Sequence, residues 1–153
     1  MYVYRIANKK YKDTTLSGIG AEKVGGRWNE VGTRAVYCSE NIALALLEYY
    51  VHSDNIALLP KSILLAKIFI PDHFELLTLA PLPLDWNVYP YTPASTKPFS
   101  ILAKNNGFLG LKVPSTVIPL ENNYVLNPLF KDFGKVEIVE FIEMEIDIRL
   151  KQK

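Results

Sequence analysis

Hydrophobic positions change period along the chain, and each change marks an element. Tyr2 to Ile6 alternates as a short strand, and the polar run Asn8 to Ser17, with Lys9, Lys10 and Lys12, reads as an exposed loop. Gly18, Gly20, Gly25, Gly26 and Gly32 then predict turns rather than regular helix, because glycine serves where a backbone bends sharply or nears a ligand. Arg34 to Cys38 is a compact strand. Ser39 stands where a cap belongs, ahead of a helix from about Glu40 to His52 with Glu40 at its positive end. That helix is apolar on much of its circumference, and Glu48 is the carboxylate inside the apolar run.

Downstream, Ser62 to Ile70 is a strongly apolar strand ended by Pro71. The proline-rich segment Leu79 to Pro98 reads as a long ordered loop, followed by a short helix near Phe99 to Lys104. Leu109 to Val113 and Thr116 to Ile118 read as strands around Pro114-Ser115. In the tail from Val136 to Leu150, Met144, Ile146, Ile148 and Leu150 alternate with Glu143, Glu145, Asp147 and Arg149, the pattern of a half-buried strand. There is no internal repeat and no low-complexity linker.

Composition narrows the class. The chain has 153 residues, 49% of them hydrophobic and 22% charged, which suits a single domain, 1–153, with a packed core. Seventeen basic and sixteen acidic side chains leave a net charge of +1, so the broad basicity of a protein that coats nucleic acid is absent. Phosphate binding is then expected to be local. Cys38 stands alone and allows no disulfide framework. The opening residues lack the pattern of a signal peptide, and no stretch is apolar enough to span a bilayer, so a cytoplasmic protein is expected.

Candidate chemistry gathers in the first third of the chain. An ionised Glu48 away from water costs several kcal/mol unless it is partnered or useful, so a functional carboxylate and a salt bridge to Arg5 or Arg27 compete. Arg27 follows Gly25-Gly26, where a guanidinium and main-chain N–H groups can reach one anion; a surface ion pair is the competing reading. Tyr37 suits stacking on a flat ring with its hydroxyl free, against ordinary strand packing. Arg5, in an apolar strand, needs an anion or an edge open to solvent. Ser115 sits at a strand break without a Gly-x-Ser-x-Gly elbow, so a serine hydrolase is not expected. His52 and His73 share no ligand spacing, and no metal is assigned. Cys38 reads as packing. The ligand these groups suit is anionic at one end and flat at the other, as nucleotides are.

In chain order the sequence carries Tyr4-Arg5-Ile6, Ser17-Gly18-Ile19-Gly20-Ala21, Gly25-Gly26-Arg27-Trp28-Asn29, Val36-Tyr37-Cys38-Ser39-Glu40 and Ala45-Leu46-Leu47-Glu48. It continues with Val113-Pro114-Ser115 and Glu121-Asn122-Asn123-Tyr124-Val125-Leu126-Asn127-Pro128. This series resembles the RES domain family, toxins of bacterial toxin–antitoxin pairs. The resemblance implies an α/β (α+β) fold, a compact single domain similar to the ADP-ribosyltransferases, with split antiparallel sheets, flanking helices and an NAD cleft. It implies cleavage of the nicotinamide–ribose bond with phosphate or water as acceptor; protein ADP-ribosylation and a catalytically silent antitoxin-binding module are the alternatives.

Carried over residue by residue, the implied catalytic set is Glu48, Arg27, Tyr37 and Ser115, and the implied NAD-binding set is Arg5, Arg27, Tyr37, Ser115 and Asn127. NAD enters as substrate, with inorganic phosphate as co-substrate, and no cofactor is permanently bound. The implied partner is an Xre-type helix-turn-helix antitoxin that covers the cleft and carries the DNA binding, in a higher-order toxin–antitoxin complex. One departure stands out: many relatives have Gly-Asp and an aromatic residue between Trp86 and Val113, whereas this chain has Ser95-Thr96-Lys97-Pro98-Phe99, which predicts a different pocket wall.

Overall fold

The computed structural model describes residues 1–53, 60–105 and 107–151. Strands β1 (Tyr2–Ala7), β2 (Val36–Ser39), β3 (Ser62–Phe69), β4 (Leu77–Thr78), β5 (Gly110–Pro114), β6 (Asn122–Leu126) and β7 (Glu137–Glu145) form one seven-stranded sheet. Their order is β4-β5-β6-β2-β1-β3-β7, antiparallel except for the β4–β5 pair. Helices α1 (Ile19–Val24), α2 (Ile42–Val51) and α3 (Pro93–Leu102) flank it. The fold is thus α/β, as expected, but with one continuous sheet in place of two.

The expected split survives as a seam. The ladder of β1 with β3 runs from Tyr2–Phe69 to Ala7–Leu64, and that of β2 with β6 from Val36–Leu126 to Ser39–Asn123. Between β1 and β2 the register holds only at Tyr4–Ser39. Alternation along the strands supplies both faces of the sheet with apolar side chains. Val36 and Cys38 of β2 and Leu126 of β6 join Val3, Ala66 and Ile68 on one side. Val125 of β6 joins Trp28, Phe99, Phe108, Leu111 and Val113 on the other, with Tyr37 packed against them.

Several local expectations change, each for a physical reason. The glycine segment holds a helix after all: Gly18 (φ 69°) and Gly25 (φ 71°) bracket α1 in the positive-φ region, so the glycines end the helix instead of preventing it. Asn41 caps α2, accepting from the Leu44 N–H at 2.8 Å, because Ser39 still belongs to the β2 ladder opposite Asn123. The loop after β1 contains a 3-10 helix over Lys9–Thr14. Helix α3 starts at Pro93, a first-turn position where the missing N–H costs nothing, earlier than the Phe99 start expected.

Residues 116–118 form a turn instead of a strand, since the Ser115 hydroxyl accepts from the N–H groups of Val117 (3.0 Å) and Ile118 (3.1 Å). β7 ends at Glu145, and Ile148–Lys151 winds into a 3-10 turn, so the tail alternation stops earlier than its pattern predicts. No helix among the described residues is long and apolar enough to cross a membrane.

Candidate active site

A cavity of about 450 Å³ opens at the seam, within the range of small-molecule sites. Arg5 of β1, Tyr37 and Ser39 of β2, Glu48 of α2, Asn123 of β6 and Arg27 of the glycine loop line it, together with Tyr91. Four of the expected site residues are therefore brought together from segments far apart in sequence.

Glu48 is held by neutral donors. Its side chain is 18% exposed. Oε1 accepts from the Ser115 hydroxyl at 2.8 Å and from the Asn123 amide at 2.5 Å. Oε2 lies 3.7 Å from His52 Nδ1, which is itself 2.8 Å from the Glu48 carbonyl oxygen. That carbonyl can only accept, so Nδ1 carries a proton. Neither arginine forms an ion pair with Glu48 among the described residues; of the two competing readings, the salt bridge to Arg5 or Arg27 is absent there, and a hydroxyl, an amide and a nearby imidazole surround the carboxylate.

The arginines are anchored to backbone instead. Arg5 Nη1 donates to the Tyr37 carbonyl at 2.7 Å, bridging the seam, and its buried Nε has no partner among the described residues. Arg27 Nη1 donates to the carbonyls of Trp86 (2.8 Å) and Val88 (2.7 Å), and the guanidinium sits 5.8 Å from the Tyr91 ring centre. Burial lowers the Arg27 pKa from its ordinary value, with the Glu48 charge pulling the other way. A carboxylate is thus felt across the cavity without contact. Arg27 has a structural duty as well, tying the 84–91 segment to the glycine loop.

Tyr37 lines the cavity, but its hydroxyl is not free. It donates to Asn29 Oδ1 at 2.7 Å and accepts from the Trp28 N–H at 3.1 Å. Burial pushes its pKa well up. Asn29, fully buried, donates through Nδ2 to the carbonyls of Ala21, Glu30 and Thr33, so the Gly-Gly-Arg-Trp-Asn segment is a loop folded around an amide. Gly26 is needed there because a Cβ would lie 2.6 Å from the Tyr37 hydroxyl oxygen.

Two of the expected site residues lie behind the cavity wall. Ser115 is completely buried and absent from the cavity lining, its hydroxyl donating to Glu48 and accepting from the following turn. Asn127 is also completely buried and absent from that lining. Its Nδ2 donates to the Phe108 (3.0 Å) and Ala103 (3.4 Å) carbonyls and its Oδ1 accepts from the Leu129 N–H, which ties the end of α3 to the loop after β6. The Ser95–Phe99 departure lies in α3, where Ser95 and Phe99 are fully buried; Tyr91, just upstream, is the wall residue. Asn123, Ser39, His52 and Tyr91 are cavity residues that the sequence reading did not assign to the site. The available signal was the polar pair Asn122-Asn123 inside a strand otherwise apolar to Leu126.

The sheet seam thus carries one fixed carboxylate and two guanidinium groups on the same cavity. A model of the RES domain matches residues 2–149. The chain is 38% identical over 151 residues to "Toxin Res" of Photorhabdus laumondii, covering 98% of this chain and 97% of that protein. It is 36% identical over 153 residues to "Toxin Res" of Yersinia enterocolitica, covering 99% and 100%. It is also 38% identical over 156 residues to the "Prs ADP-ribosylating toxin" of a Sphingobium species, covering 98% and 96%. This chain belongs to the RES domain family.

Proposed function

We propose that this protein is a toxin that destroys NAD by breaking the bond between nicotinamide and ribose, with water or inorganic phosphate taking the ribose carbon. The observation that carries this reading is the Glu48 carboxylate, 18% exposed and held by Ser115 and Asn123 in a cavity that also holds Arg5 and Arg27. As nicotinamide leaves with the bonding electrons, positive charge grows on the ribose carbon and ring oxygen. A preformed anion stabilises that charge, and water or phosphate closes the bond from the other side. The arginines suit the pyrophosphate, and the Tyr37 ring suits a flat group beside the ribose. No covalent nucleophile is needed.

The reading places the protein in the cytoplasm, where NAD is abundant, under the control of an Xre-type antitoxin that covers the cleft within a larger complex. Its test is to incubate the purified protein with NAD, with and without phosphate, and to resolve the products by NMR. Free nicotinamide with ADP-ribose or its 1″-phosphate supports it; intact NAD refutes it and favours a silent antitoxin-binding module. The name of the Sphingobium relative supports a second reading, in which a protein side chain is the acceptor. ADP-ribose retained on a protein target distinguishes that outcome.

A further inference from the structure

Glu48 has two carboxylate oxygens, and the surrounding groups treat them differently. Oε1 takes a hydrogen bond from Ser115 and another from Asn123, while among the described residues Oε2 has His52 Nδ1 at 3.7 Å as its one polar neighbour of note. The orientation of the Asn123 amide decides whether that arrangement works, because a flipped amide would set its oxygen against the carboxylate. The carboxylate, which can only accept, sets that orientation, and Ser39 holds it from the far side of the amide. The Ser39 hydroxyl, 4% exposed as a residue, donates to Asn123 Oδ1 at 2.7 Å, leaving the amide N–H groups turned toward Glu48. The two residues are direct register partners of β2 and β6, so the sheet itself sets their spacing.

We propose that Ser39 and Asn123 form a positioning relay that fixes Glu48 Oε1 and presents Oε2 as the oxygen facing the reacting ribose. The inference deepens the NAD-cleaving reading and rests on it. Neither residue touches the reacting atoms through this relay; both act on the angle and position of a carboxylate whose effect depends on placement to a fraction of an ångström. Ser115 alone gives one donor, which leaves the carboxylate free to swing about that bond. The second donor, itself locked by Ser39, removes that freedom.

Steady-state nicotinamide release by the whole protein tests the relay. Asn123→Ala is expected to lower kcat at least about tenfold with KM changed by less than about threefold, the signature of a loss felt in the transition state. Asn123→Asp, which sets a second carboxylate against Glu48, is expected to lose at least as much. Ser39→Ala is expected to lower kcat about three- to tenfold, and Ser39→Thr, which restores the hydroxyl, to stay within about twofold of wild type. An Asn123→Ala protein that melts lower but keeps wild-type kcat overturns the relay. If that variant does not fold, equal kcat for Ser39→Ala, Ser39→Thr and wild type overturns it. A wild-type protein that releases no nicotinamide overturns the proposed reaction and this inference with it, whereas an active wild type with equally active, folded variants overturns this inference alone.

Discussion

Replacing Glu48 with Gln separates charge from shape. A glutamine oxygen can stand where Oε1 stands and still accept from Ser115 Oγ and Asn123 Nδ2, so no buried donor is orphaned. Each of those bonds passes from a charged to a neutral acceptor, a loss of about 1 kcal/mol per bond. The 18% exposed side chain no longer has to keep a full charge mostly out of water, which offsets much of that loss. Net stability should therefore change by about 1 kcal/mol or less, to be read by urea denaturation.

Turnover should respond differently. Removing one preorganised stabilising charge costs on the order of 10²-fold to 10³-fold in kcat. NAD affinity should move much less, because the ribose cation does not exist in the bound ground state. Glu48→Ala gives the contrast: it leaves the half-buried Asn123 amide and the buried Ser115 hydroxyl without this acceptor, costing about 1–3 kcal/mol for the buried hydroxyl and less for the amide that lines the cavity. Nicotinamide release near the wild-type rate in a folded Glu48→Gln protein refutes the electrostatic role. Destabilisation of Glu48→Gln equal to that of Glu48→Ala refutes the account of how the carboxylate is held.

Arg27→Ala should weaken NAD binding about tenfold to 150-fold by titration calorimetry, from the loss of charge-assisted contacts worth about 1.5–3 kcal/mol, and unchanged affinity removes Arg27 from the ligand site. Because Arg27 also holds the Trp86 and Val88 carbonyls, the same variant should be cut faster by protease in the 84–91 segment. Gly26→Ala forces a Cβ to within 2.6 Å of the Tyr37 hydroxyl and 2.9 Å of Asn29 Oδ1, and should cost about 1–3 kcal/mol in urea denaturation; wild-type stability would show that the loop yields freely. Burial raises the Cys38 thiol from 9.0 to about 12, with the Arg5 charge offsetting part of the rise. Above about pH 9 the unfolded thiol loses its proton while the folded one keeps it, so stability falls as pH rises, approaching about 1.4 kcal/mol per pH unit. Between pH 8 and pH 10 wild type should lose about 1 kcal/mol more than Cys38→Ala, and equal losses would refute the buried neutral thiol.

What could be read from the sequence was what depends on local pattern. β3 is apolar over its length, and its predicted range, Ser62 to Ile70, nearly coincides with the observed Ser62–Phe69. Glu48 stood out because an acid in an apolar helix is costly, and Arg27 because two glycines precede it. The partners were not legible, since hydrogen bonds between residues 48 and 115, or 48 and 123, depend on strand order that no local pattern encodes. Ser115 and Asn127 illustrate the limit. Both belong to the motif series read from the sequence, and both are completely buried, a placement that depends on tertiary packing and that motif position does not encode.

The location of the site follows from where the sheet is weakest. After the Tyr4–Ser39 pair the β1–β2 ladder stops, and the Arg5 side chain takes up the Tyr37 carbonyl that a neighbouring strand would otherwise satisfy. A guanidinium is thereby drawn into the gap, its Nε unpartnered among the described residues, while α2, packed over β1 and β2, lowers Glu48 toward the same opening. Ser39, the last residue of the ladder, then faces Asn123 across β6 and turns its amide onto Glu48. The opening between strands thus supplies both the cavity and polar groups that a longer ladder would have taken up, so the proposed site depends on the sheet staying incomplete there.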